Sequence, residues 1–210
     1  MKEIAQLLIN TEAVKVSINP PFTWTSGIKS PVYCDNRILI SFPQERKKIT
    51  NALIEKIKEA NLKPDFLAGT ATAGIPWTAF LAEKLNLPMV FVRGEAKKHG
   101  TKKRIEGKLK ASSKVLIIED LISTGGSSIS TSKAIVEEGK SEVLGIAAIM
   151  SWELPLAKKN FQEHNIPLIT LTGFSELIPA SAENGSLNQE EVKNIFSFQE
   201  DPKSWGDNLL

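Results

Sequence analysis

Cysteine and histidine are scarce in this 210-residue chain. A single thiol, Cys34, excludes an intrachain disulfide and points to a reducing compartment. The two histidines, His99 and His164, lie far apart, and with one cysteine they leave no zinc-site spacing, so no metal-ligating set is expected. His164 and Cys34 read as structural or surface residues. An excess of one charge is lacking too. Lys and Arg number 26 against 24 Asp and Glu, a net +2, so neither a nucleic-acid nor a membrane partner is expected. No apolar run approaches the length of a transmembrane helix. The start carries Lys2, Glu3 and Glu12 around a short apolar patch, which is no signal peptide. Repeats and low-complexity linkers are absent. A soluble, cytoplasmic protein is expected. At 41% hydrophobic and 24% charged residues the composition is globular, and a chain of this length can bury a core as one domain, 1–210, without metals or disulfides.

What is present is an alternation. Ile4, Leu7 and Leu8 sit at helical spacing near the start. The stretch 44–60 follows Pro43 and carries Ile49, Leu53 and Ile57 four apart, one helical stripe. Short apolar strands are predicted at 66–69, 89–92, 115–118, 143–150 and 167–171. Helices are predicted at 76–86, where Trp77, Phe80, Leu81 and Leu85 share a face, and at 125–138 through Ile129 and Val136. Apolar strands separated by helices imply parallel strands buried on both faces. The expected fold is α/β, with a central parallel sheet of about five strands flanked by helices, roughly over 62–172. The ends read as additions to it. Residues 1–40 hold many turn residues and few clear elements. Residues 175–210 include a helix opening at Asn188, with Glu191 three positions on in a capping-box pattern. Ligands of such a sheet sit beyond the carboxyl ends of the strands, so chemistry is expected just after each one.

The strand at 115–118 leads into Glu119, Asp120, Leu121, Ile122, Ser123, Thr124, Gly125, Gly126 and Ser127, and then a helix. Two glycines among hydroxyl residues make a tight turn with exposed N–H groups, and the helix N-terminus adds partial positive charge. Together they suit a phosphate, with Ser123, Thr124 and Ser127 as hydroxyl donors. The two carboxylates upstream would repel that phosphate. They should therefore face hydroxyl donors or a metal, and a sugar diol attached to the phosphate meets the description. The alternative is a helix merely capped after a buried strand.

After the strand at 66–69, the small residues Gly69 to Gly74 lead into a helix. Gly69 and Gly74 nearly fit a P-loop, but Ile75-Pro76 stands where Lys-Ser/Thr is required, so an ATP-type P-loop is rejected. Backbone N–H groups here suit a second anion, unless packing alone shapes the turn. After the strand at 89–92 comes a stretch rich in cations and glycine, Arg93 to Arg104. It has little to pack with and is expected to be mobile. A solvated loop and an RNA contact are the alternatives to a lid that closes on phosphates.

The stretch 115–127, VLIIEDLISTGGS, closely resembles the thirteen-residue signature of type I phosphoribosyltransferases, which binds 5-phosphoribosyl 1-diphosphate. Three further segments resemble orotate phosphoribosyltransferases. One is Arg93-x-x-x-Lys97-x-His99-Gly100 followed by Ile105-Glu106-Gly107, similar to the family's catalytic loop. Another is PFTW-SG-SP-YCDNR between Pro21 and Arg37, which in the family hoods the base. The last is the closing stretch Phe198 to Trp205.

The resemblance implies the type I phosphoribosyltransferase fold, with a core at about 62–172 and a small hood from about 1–40 with contributions from 173–210. It implies transfer of the 5-phosphoribosyl group to orotate, giving orotidine 5′-monophosphate and diphosphate in pyrimidine synthesis. Glu119 and Asp120 would hold the ribose hydroxyls, Ser123 to Ser127 the 5′-phosphate, with Leu121 and Ile122 in the same binding stretch. Arg93, Lys97 and His99 would act on the diphosphate, with Lys98 a lesser contributor, and Ser123 would contact orotate. Mg2+ would arrive mainly with the diphosphate. The expected assembly is a homodimer whose lid loop reaches the neighbour's site. Three departures stand out: Ala73, Thr25 and the region of Trp152 occupy places where some members carry cations. Lys102, Lys103 and Arg104 receive no role. A phosphoribosyltransferase for another base, and a non-catalytic sensor of phosphoribosyl diphosphate, are the rival readings. The sensor would be expected to add a winged helix or a basic face, and this chain shows neither.

Overall fold

The structure, a computed structural model, describes residues 2–24, 27–95, 103–183 and 187–208. In chain order, helix α1 (Lys2–Asn10) precedes four short strands: β1 (Val14–Val16), β2 (Phe22–Thr23), β3 (Lys29–Ser30) and β4 (Val32–Cys34). A 3-10 turn at Asn36–Ser41 leads to α2 (Pro43–Glu59), β5 (Phe66–Thr70), α3 (Gly74–Leu85), β6 (Met89–Val92) and β7 (Ile105–Glu106). Then follow β8 (Lys114–Ile122), α4 (Gly126–Glu137), β9 (Glu142–Ser151), α5 (Pro155–Glu163), β10 (Leu168–Gly173), α6 (Phe174–Glu183), α7 (Gln189–Glu200) and a 3-10 turn at Trp205–Asn208.

The central sheet has six strands in the order β10-β9-β8-β5-β6-β7. The five expected strands are all parallel. The sixth, β7, is an addition that pairs antiparallel with β6 at the edge. It has only two residues, too few to carry a periodic signal. Both faces are covered, and β8 shows why its sequence is a continuous apolar run. Leu116 and Ile118 enter the core under α1, α2, α3, α6 and α7, while Val115 and Ile117 enter the core under α4 and α5. That is the period-two alternation of a strand buried on each side. Each such side chain, wholly enclosed, stabilises the fold by roughly 1.5–3 kcal/mol. The stripe Ile49, Leu53 and Ile57 is the buried face of α2, as its four-residue spacing predicts.

Two helices lack a sequence signal. Helix α5 is short, with Ala157 and Phe161 as its buried residues, and α6 follows β10 with no intervening loop and contains Pro179. The helix predicted from Asn188 is α7. Asn188 Oδ1 accepts from the backbone N–H of Glu190 and Glu191, and the Glu191 carboxylate accepts from the N–H of Asn188.

One correction positions the site. The strand predicted to stop at Ile118 runs on to Ile122, carrying the acidic pair inside it. The ladder with β9 continues to the pair Ile122–Ser151, whereas the ladder with β5 ends at Gly69–Ile118. Strand β5 turns away there into α3. The sheet order also reverses direction between β5 and β8, the switch point where open α/β sheets take their ligands.

Candidate active site

Glu119 and Asp120 stand at that switch point. Glu119 is 5% exposed. One of its carboxylate oxygens accepts from the hydroxyls of Ser127 (3.3 Å) and Ser128 (3.2 Å), and the other from the Asp120 N–H (3.3 Å). Burial, and then the neighbouring Asp120 charge, pushes the Glu119 carboxyl up to about 8. Burial also raises the Asp120 carboxyl, the Glu119 hydrogen bond acting the other way. Two desolvated carboxyls side by side are poised for hydroxyl donors, which restore some of the solvation they lack.

The turn that follows is held open by its own chemistry. Gly125 lies at φ +79°, and a Cβ there would come within 2.8 Å of the Phe161 ring. Glycine is required on both counts. It also leaves α4 without a side-chain cap, and the helix carries no acidic residue in its first turn. The first N–H groups of α4 have no partner within the helix and so suit an anion. Asn160 Nδ2 donates to the Thr124 carbonyl at 2.9 Å, anchoring the turn to α5.

The turn after β5 is a second uncapped helix start with fewer free donors, since Pro76 has no N–H and the Ile75 N–H donates to the Thr72 carbonyl at 3.2 Å. Helix α3 begins after Ala73 with no side-chain cap and no acidic residue in its first turn. By contrast, α7 is closed by its Asn188–Glu191 box. A Cβ on Gly74 would lie 2.5 Å from the Ile118 carbonyl, so glycine lets α3 start against β8. The peptide between Ala71 and Thr72 is cis. A cavity of about 500 Å3 opens between Ala71 and Thr72 on one side and Arg93 and Glu106 on the other.

Arg93 Nη1 lies 3.5 Å from Glu106 Oε1. Arg104, given no role by the sequence, closes the root of this loop. Its Nε donates to the Arg93 carbonyl (2.9 Å), its Nη1 to the Ser130 carbonyl (3.1 Å) and its N–H to Glu138 (2.9 Å). Lys97, Lys98 and His99 lie outside the described residues.

A second cavity, about 250 Å3, lies between the N-terminal hairpins and the sheet. Thr23, Trp24, Tyr33 and Cys34 form one wall, and Leu121, Ser123 and Trp152 the other. Trp24 and Trp152 stack at 6.3 Å between ring centroids. Phe198 meets Trp24 edge-on, and Gln199 Nε2 donates to the Trp152 carbonyl at 3.1 Å, so α7 fixes this aromatic wall. Its size and flat aromatic faces suit a single heterocyclic ring. A larger cavity, about 690 Å3 beside α5 and the start of β10, has Glu153 as the one carboxylate among the described residues that line it, so it holds no acidic pair.

A family model described as the phosphoribosyl transferase domain matches residues 39–166. The orotate phosphoribosyltransferase of Enterococcus faecalis is 47% identical over 205 residues, covering 98% of this chain and 97% of that protein. That of Listeria innocua is also 47% identical over 205 residues, covering 98% of each. The chain belongs to the orotate phosphoribosyltransferase family. The solved orotate phosphoribosyltransferase of Aeropyrum pernix shares the fold at TM-score 0.75 and 24% identity, over 88% of this chain and 99% of that one.

Against the family signature, the structure brings together Glu119, Asp120, Ser123, Thr124, Gly125, Gly126 and Ser127. Leu121 lines the ring-sized cavity. The side chain of Ile122 does not take part. It is fully buried with Ile129, Ala157 and Phe161 on the α4–α5 side of the sheet, while Leu121 packs on the other side, so the alternation seen from Val115 to Ile118 changes phase across the acidic pair. Two residues escaped sequence reasoning. Ser128 holds Glu119 from the first turn of α4, and Asn36 donates to the Asp120 carbonyl at 2.9 Å. Cys34, read as structural or surface, lines the ring cavity instead. Burial raises its thiol, with Asp120 and Asp35 adding to the effect, so it stays protonated. His164 is a surface residue whose ring nitrogen meets the Asn160 carbonyl. Among the described residues no three His, Cys, Asp or Glu gather to hold a metal, and no helix is long and apolar enough to cross a membrane.

Proposed function

We propose that the protein transfers the 5-phosphoribosyl group of 5-phosphoribosyl 1-diphosphate, taken up with Mg2+, to orotate. The products are orotidine 5′-monophosphate and diphosphate. The observation that carries this reading is the place of Ser123. It belongs to the anion turn before α4 and also lines the ring-sized cavity. A phosphorylated sugar in the turn would present its C1 toward a base in that cavity.

In the reaction the C1–O bond breaks with its electron pair leaving on the diphosphate. The ring nitrogen of orotate forms the new bond to C1 and gives up its proton. Cationic character on the sugar and growing charge on the diphosphate must both be stabilised, and water kept out. Glu119 and Asp120 hold the ribose hydroxyls, and a sugar gaining cationic character favours the ionised form of the pair that burial disfavours in the empty site. The N–H groups opening α4 take the 5′-phosphate, and those of the turn from Thr72 to Gly74 the diphosphate. Arg93, Lys97 and His99, with Lys98 contributing less, act on the diphosphate. The hard oxygens of the acidic pair suit Mg2+ carried in by the substrate, which keeps several of its waters.

On this reading residues 1–210 act as one domain, its core at about 62–172 and its hood at about 1–40 with parts of 173–210. The working unit is a cytoplasmic homodimer that shares its lid loops. Incubation with orotate, phosphoribosyl diphosphate and Mg2+ tests the reading. Loss of orotate absorbance with stoichiometric diphosphate release is expected. Release of diphosphate only with a different base would refute it.

A further inference from the structure

The ring-sized cavity has walls of hydroxyl, thiol, aromatic and aliphatic groups, and no charged side chain is among the described residues that line it. The base of the proposed reaction carries a carboxylate. A carboxylate brought into such a cavity without a cation in reach is heavily penalised. A cation placed just behind the wall would relieve that penalty.

Thr23 and Lys29 face each other directly across the β2–β3 hairpin. The Lys29 ammonium donates to Thr23 Oγ1 at 2.9 Å, and Thr23 lines the cavity. The lysine stem is held from behind by the C-terminal turn. A Cβ on Gly206 would lie 2.7 Å from Lys29 Cβ and 3.0 Å from its Cγ, so only a glycine fits there. The nearby Arg37 is already engaged. It grips Asp35 through Nε at 2.6 Å and Nη2 at 2.8 Å. We infer that Lys29, acting with the Thr23 hydroxyl, supplies the positive charge that recognises the carboxylate of the base. It thereby sets the preference for an acidic pyrimidine over a neutral one. Thr23 accepts from the ammonium and turns its own proton toward the cavity, so lysine and hydroxyl together offer donors to one carboxylate. The inference deepens the proposed reaction and rests on it.

Orotidine 5′-monophosphate and uridine 5′-monophosphate differ only by that carboxylate, which makes them the two probes. Binding of each is measured for the intact wild-type protein, Lys29→Met and Lys29→Arg, alongside KM for orotate and for phosphoribosyl diphosphate. Loss of a charge-assisted contact is expected to weaken orotidine monophosphate and raise KM for orotate at least about tenfold in Lys29→Met. Uridine monophosphate affinity and KM for phosphoribosyl diphosphate should stay within about twofold, which also shows that the variant is folded. Lys29→Arg should recover most of the loss. An unchanged ratio of the two nucleotide affinities in Lys29→Met would overturn the assignment. A wild-type protein that consumes no orotate and binds both nucleotides alike would overturn the proposed reaction itself.

Discussion

Asn36 Nδ2 donates to the main-chain carbonyl of Asp120 at 2.9 Å, joining residues 84 positions apart in the chain. Asn36 is 1% exposed, and its side-chain carbonyl has no partner among the described residues. The bond ties the 3-10 turn below the hood to the strand that carries the acidic pair.

Replacing Asn36 with Ala removes the donor to a partly buried carbonyl. A loss of about 1–3 kcal/mol is expected in urea unfolding, with a higher KM for phosphoribosyl diphosphate. Asn36→Asp should be worse than Ala, because it sets a third carboxylate beside two that burial already disfavours. Equal stability of the Ala and Asp variants would show that the acidic pair does not feel this position.

Glu119 ionises only against its surroundings. Its carboxyl is raised from the ordinary 4.5 to about 8, so the folded state holds this proton more tightly than the unfolded chain does. Its contribution to stability is present in full below pH 4.5 and is lost as the pH rises through about 8. Glu119→Gln removes that loss. Its amide NH2 satisfies the Ser127 and Ser128 hydroxyls, while its carbonyl accepts from the Asp120 N–H. The unfolding free energy of the variant should therefore fall less between pH 5 and pH 8 than that of the wild type, while binding of phosphoribosyl diphosphate is lost. Parallel pH profiles would contradict the assignment.

Gly125→Ala places a methyl group against Phe161 on a backbone at φ +79°. A loss of roughly 1–3 kcal/mol is expected, with weaker binding of the sugar phosphate as the turn shifts. Adding Phe161→Leu removes the collision but not the backbone penalty. The double variant should thus regain part of the stability, measured by thermal unfolding.

The proposed sharing of the lid loop predicts complementation. Lys97→Ala and Asp120→Asn should each be inactive alone. When subunits exchange, half of the dimers are mixed and each has one intact site, so roughly a quarter of wild-type activity should return. Demonstrated exchange without recovered activity would exclude a loop that acts across the dimer.

The parts of the fold that were legible share one physical cause. Strands β5, β6, β8, β9 and β10 are buried on both faces and so read as apolar runs, and Asn188 with Glu191 makes α7 visible through a local hydrogen-bonding rule. What stayed hidden depends on the fold itself. The acidic pair interrupts the hydrophobic signal of β8, although the β9 ladder carries the strand four residues further. Helix α5 is amphipathic over only nine residues, and β7 exists because Arg104 and β6 hold it. In the site, the turn from Ser123 to Ser127 was plain because each residue answers to a local need. The roles of Asn36, Cys34 and Lys29 come from contacts between distant segments or across a hairpin, which no spacing in the sequence encodes.

The most direct test is a crystal structure of the protein with phosphoribosyl diphosphate and Mg2+. The account places the 5′-phosphate on the N–H groups of the Thr124–Ser127 turn and the ribose hydroxyls on Glu119 and Asp120. Density for the sugar donor elsewhere, with this turn filled by protein side chains, would contradict it.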